Sequence, residues 1–201
     1  MGPAIIILIV FVIILTYVLK RNSRLEREAS ERFWEMEAQS NNTRKKDIST
    51  LPYITVPLAS FPIGAYSDKT LADLENSLTQ LSKEAILNLN GISNTELKLT
   101  YGVANLDALS QCDERFTELI RLLHQYGSRL LELSHTKEAV CVLRFAVECG
   151  SDIPDTYTTL ADAYAAVNEP EHTEELKELA LQLHSSRRDA IVTRLDARLN
   201  A

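Results

Sequence analysis

The order of apolar and polar positions divides the chain into an apolar start, a charged segment, a proline-punctuated stretch and a long helical body. From Ala4 to Leu19 every residue except Thr16 is apolar. As a helix such a run rises about 24 to 27 Å, close to the roughly 30 Å of a bilayer core. A core strand is about half as long. A cleaved signal wants a cationic start and small residues at the cut, and neither Met1-Gly2-Pro3 nor Thr16-Tyr17-Val18-Leu19 supplies them. The pattern therefore predicts a single transmembrane helix over residues 1–19. It would meet the lipid bilayer through residues 4–19, with Tyr17 at one end and Lys20 and Arg21 snorkelling.

Residues 20–46 form a charged juxtamembrane helix and linker. Up to Gln39 the segment has no Pro or Gly, and Arg24 with Glu28, then Glu28 with Arg32, stand four apart and support a helix. Leu25, Ala29, Phe33 and Met36 make an apolar stripe with Trp34 beside it. Either the stripe lies at the headgroup boundary, or it packs on another helix from a second copy or a partner. Residues 47–66 follow as a Pro-rich strap, because Pro52, Pro57 and Pro62 recur every five residues and exclude helix. The apolar residues between them predict an extended strap that buries Tyr53, Ile54, Val56, Leu58 and Phe61. The alternative is a displaceable plug of a peptide-binding groove.

Residues 67–201 read as a helical domain. Ser67 or Asp68 caps a helix carrying Leu71, Leu74, Leu78, Leu81, Ala85 and Leu89, which Asn90-Gly91 ends. Further helices are predicted over 94–109, 113–134, 137–149, 155–167, 171–184 and 186–199. No segment alternates long enough to be a strand, so the domain is all-α.

Internal periodicity narrows this reading. Leu123-x-x-Tyr126-Gly127-x-x-Leu130 is followed by Ala139-x3-Leu143-x2-Ala146, and a shift of 34 residues returns Tyr157-x-x-Leu160-Ala161-x-x-Tyr164, with Ala180 falling on Ala146. The pattern resembles tetratricopeptide (TPR) repeats, in which large residues of two antiparallel helices enclose a small one at the crossing. The resemblance covers residues 120–184, giving units over about 120–153 and 154–187 and a C-terminal capping helix. Thr173 and Lys177 depart from it, standing where Ala and a large apolar residue are wanted. The fold class expected is an N-terminal transmembrane helix followed by an all-α, TPR-like domain. The resemblance also implies a concave face that holds a peptide or partner helix, lined here by Arg121, His124, Ser128 and Leu131 and by Asp155, Thr158 and Asp162. The Lys and Asn of the family's carboxylate clamp are missing, and Asp155 and Asp162 imply a neutral or basic partner.

Charge adds orientation. The mean hydropathy of -0.09 averages two unlike parts. Residues 20–46 carry eight basic and five acidic side chains, a net of +3, and the remainder nets -10, giving the total of -7. An acidic body excludes a nucleic-acid binder. Lys20, Arg21, Arg24 and Arg27 after the apolar run predict a single-pass membrane protein with its N-terminus outside and its C-terminal domain cytoplasmic. Cys112, Cys141 and Cys149 offer neither a disulfide framework nor a zinc pair, Cys141 and Cys149 read as buried small apolar residues, and the four histidines lack ligand spacing. With no nucleophile elbow, zinc motif or phosphate loop, no enzyme, cofactor or metal is expected. The function expected is a membrane-anchored protein-protein interaction module, an adaptor or scaffold. The alternative is a structural, self-associating membrane subunit that forms a homo-oligomer through the juxtamembrane helix.

Overall fold

The computed structural model describes residues 2–199, and the side chains of all of these except residues 3–10. Its helices are α1 (Pro3–Asn41), α2 (Lys69–Leu81), α3 (Asn94–Tyr101), α4 (Leu106–Glu132), α5 (Thr136–Glu148), α6 (Pro154–Ala166), α7 (His172–Leu181) and α8 (Arg188–Leu199). The chain is 70% helical, with no strand among the described residues. It divides into two compact units, Met1–Asp47 with Ser93–Leu106, and Ile48–Ile92 with Asp107–Ala201.

In the first unit α3 packs on the C-terminal part of α1. Lys98 Nζ lies 2.8 Å from the Glu37 carboxylate, which also accepts from the Thr95 hydroxyl. Ser40 is wholly buried here. Ser93 and Glu96 cap α3 reciprocally, and Gly102 ends it at φ +88°, where an added Cβ would lie 2.4 Å from the Arg44 carbonyl oxygen. That break divides the helix predicted over 94–109: after a 3-10 turn at Val103–Asn105 the chain restarts as α4 and runs on to Glu132.

Among the described residues no helix is long and apolar enough to cross a membrane. This overturns the transmembrane anchor expected over residues 1–19. After Leu19 the same helix turns polar. The next two turns carry Lys20, Arg21, Arg24 and Arg27. Side chains 4–10, the rest of the expected anchor, lie outside the described ones. The bilayer contact through residues 4–19, the single-pass membrane localisation, and the outside N-terminus with a cytoplasmic C-terminal domain are withdrawn with the anchor.

The second unit is built on two apolar clusters. The first joins Val56 and Phe61 of the 51–63 segment to Leu71 and Leu78 of α2, to Phe116, Leu119, Leu123, Tyr126 and Leu130 of α4, and to Ala139, Val142 and Ala146 of α5. The second joins Leu143 and Val147 of α5 to Tyr157, Leu160, Ala161 and Tyr164 of α6, Leu176 and Ala180 of α7, and Ile191 and Leu195 of α8. Ile54 and Leu58 pack on the first cluster as well, so residues 51–63 lie against the helices. Asp68 caps α2, its Oδ1 accepting from the Leu71 amide at 2.9 Å.

The helix predicted to continue to Leu89 stops at Leu81. Beyond it, backbone groups find partners elsewhere: the Ile54 amide donates to the Ile86 carbonyl, the Leu87 amide to the Cys112 carbonyl, and the Leu89 amide to the Asp113 carboxylate. Ile86, Leu87 and Leu89 are all buried, so apolar residues spaced for a helix serve an extended segment instead. Of the two cysteines read as buried small apolar residues, Cys149 is half-buried and Cys141 is exposed, with Sγ 3.5 Å from the Ser60 carbonyl.

Candidate protein-interaction face

The α4–α5 and α6–α7 hairpins place every residue of the repeat pattern in the interior. Leu123, Tyr126, Gly127 and Leu130 of α4, Ala139, Leu143 and Ala146 of α5, Tyr157, Leu160, Ala161 and Tyr164 of α6, and Ala180 of α7 are all buried. A Cβ on Gly127 would lie 2.5 Å from Leu143 Cγ, so a residue without one is what lets α4 and α5 approach. Ser134 and Asn168, 34 residues apart, both turn their hairpins in the left-handed conformation at φ 64° and 63°. The two departures are accommodated: Thr173 is buried, and Lys177 Nζ reaches Asp196 of α8 at 2.6 Å.

The seven candidate contact residues divide between α4 and α6. On α4, Arg121 is exposed and pairs with Glu118, its Nε 3.0 Å from Oε2. His124 is half-buried and its Nδ1 stands 3.2 Å from Thr156 Oγ1; burial holds its imidazole below the usual range against the opposing pull of Asp155. His124 and Ser128 line a shallow groove of about 420 Å³ with Thr70 and Leu74 of α2. Leu131 is half-buried and packs against both apolar clusters, so it belongs to the scaffold. Thr158 is also buried, its hydroxyl donating to the Asp155 carbonyl at 3.2 Å.

Asp155 and Asp162 stand two turns apart on one side of α6, exposed, and both meet α8. Arg194 Nη1 lies 2.6 Å from Asp155 Oδ1, while Arg198 grips Asp162 with Nε at 2.7 Å and Nη2 at 3.0 Å. On the inner side of α8 Ile191 and Leu195 are sealed at 0% exposure. Arg194 and Arg198 are therefore folded onto the acidic side of α6. Because the lower-numbered arginine meets the lower-numbered aspartate, α8 runs in the direction of α6. Sequence reading missed this pairing. The i, i+7 acids and the i, i+4 bases are visible in the chain, but nothing local says that they face each other.

A second polar network ties α2 to α4. Buried Glu75 accepts from the Gly64 amide at 2.9 Å and the Tyr126 hydroxyl at 3.1 Å. Arg129 bridges Asp68, with Nη2 2.7 Å from Oδ2, and Glu132. These contacts, together with the Leu71 amide, hold the Asp68 carboxyl well below its ordinary value, at about 2. Among the described residues no cluster of three or more His, Cys, Asp or Glu is placed to hold a metal ion.

No family model matches the chain, and neither a curated protein nor a solved structure does.

Proposed function

We propose that residues 107–199 form a TPR-like array that works as a protein-interaction module, an adaptor or scaffold, and that its α6 face takes a neutral or basic helical segment of a partner. The observation that carries this reading is the seat of α8. A helix with arginines four apart and Ile191 and Leu195 on its inner side lies on α6, with its charges matched by Asp155 and Asp162. The face thus holds within the chain an example of the chemistry it would accept from outside. The repeated left-handed turns at Ser134 and Asn168 and the buried pattern residues support the array.

Exposed ion pairs contribute only about 0.2 to 1 kcal/mol each, so a basic ligand can compete with Arg194 and Arg198 for the two exposed acids while the buried Ile191 and Leu195 keep α8 in place. The test is the anisotropy of a labelled peptide with the sequence of residues 186–199, titrated with the full chain. Replacing Arg194 and Arg198 by Ala frees both acids and should tighten peptide binding by about threefold to tenfold. Asp155→Arg with Asp162→Arg should abolish binding. Equal binding to all three chains, or to none, would overturn the proposal.

A further inference from the structure

The uncovered surface of α1 carries an inference beyond the adaptor reading. On α1, Leu25, Phe33 and Met36 are 46% to 47% exposed. α3 reaches α1 through Glu37 and the neighbourhood of Ser40, leaving this stripe bare. A bare stripe alone does not say what covers it, but the charges beside it do. Residues 20–27 hold Lys20, Arg21, Arg24 and Arg27 against Glu26, a net of +3, while residues 28–36, leaving aside Glu37 that pairs with Lys98, hold Glu28, Glu31 and Glu35 against Arg32, a net of -2. One helix thus carries two adjoining blocks of opposite charge.

We infer that α1 pairs antiparallel with α1 of a second copy of this chain. Parallel pairing in register would set like blocks against each other, whereas antiparallel pairing sets each basic block on an acidic one. Heptad spacing gives the register. Leu15, Asn22, Ala29 and Met36 recur every seven residues, as do Phe11, Val18, Leu25 and Arg32 three or four residues from them. Crossing the two helices at residue 27 sets Ala29 against Leu25 of the second copy and Met36 against Val18, small against large. Asn22 then faces Arg32, a polar layer that penalises slipped registers. Arg21 comes within reach of Glu35 of the second copy, and two-fold symmetry repeats each contact.

Disulfide trapping in the purified full chain tests both the partner and the direction, with the natural chain as the control for Cys112, Cys141 and Cys149. A mixture of the Val18→Cys and Met36→Cys chains should cross-link on mild oxidation. Val18→Cys alone should give no more cross-linking than the control, because antiparallel pairing holds the two residues 18 about 27 Å apart along the axis. Arg21→Glu or Glu35→Arg alone should weaken self-association by about threefold to tenfold in sedimentation, and the two together in one chain should restore it. Cross-linking of Val18→Cys with itself would mean a parallel pair and overturn the inference. So would a chain that sediments as a single copy and cross-links in neither arrangement, its stripe then being covered by something else.

Discussion

Asp68 illustrates how much one side chain can join. Its Oδ1 closes the first turn of α2 through the Leu71 amide, and both its oxygens meet the Arg129 guanidinium of α4. The bond to Arg129 is the larger cause of its low pKa, about 2 in place of 3.8. A carboxylate whose pKa is lower in the folded state contributes stability that is fully present above its unfolded pKa and is lost as the pH falls through the folded one. Thermal unfolding followed from pH 5 to pH 2 should therefore show a falling midpoint, and Arg129→Ala should flatten that fall between about pH 4 and pH 2. An unchanged slope in the variant would mean that Asp68 does not couple α2 to α4. The cap was legible in the sequence, because an acid before an amphipathic run is a local signal. Its partner 61 residues away was not.

At the scale of elements, local patterns carried the hairpins and misjudged their neighbours. Gly127 and Ala161 mark close helix crossings in the sequence, and both are buried there. The helix end at Leu81 was invisible, because the amides and carbonyls of residues 86–89 are claimed by Ile54, Cys112 and Asp113, contacts that no periodicity encodes. The acids of α6 were legible in the chain, but not the arginines of α8 that meet them. The 51–63 segment can be weighed directly. Phe61 is buried and stacks edge-on with Phe145 at 5.7 Å, so Phe61→Ala should cost about 3 to 5 kcal/mol in denaturant unfolding. Thr55→Ala, at an exposed position of the same segment, should change it by less than about 0.5 kcal/mol. A segment that is easily displaced would give two equally small values.

At the scale of the whole molecule, the apolar start shows where averaging over sequence misleads. Fifteen apolar residues among the sixteen from Ala4 to Leu19 suggested a membrane span, yet among the described residues no helix is long and apolar enough to cross a membrane, and the run passes without interruption into a charged continuation of the same helix. The division of the chain into two units was equally hidden, since the first unit is assembled from segments on both sides of residues 48–92.

The two apolar clusters of the second unit also differ in how far the chain must reach to close them. The cluster around Tyr157 and Leu195 gathers residues 143–195 from successive hairpins, whereas the cluster around Tyr126 needs Val56 and Phe61 to find Ala139 and Ala146. Loop closure costs more entropy for the longer reach. Pulse-labelled hydrogen exchange during refolding should accordingly protect the amides of α6 and α7 before that of Ile54, and simultaneous protection would contradict this order. A polypeptide emerging from the ribosome meets the reverse difficulty. Its 51–63 segment is synthesised well before the α4–α5 hairpin that shelters it, so Val56 and Phe61 must wait, exposed, for about eighty further residues to be made.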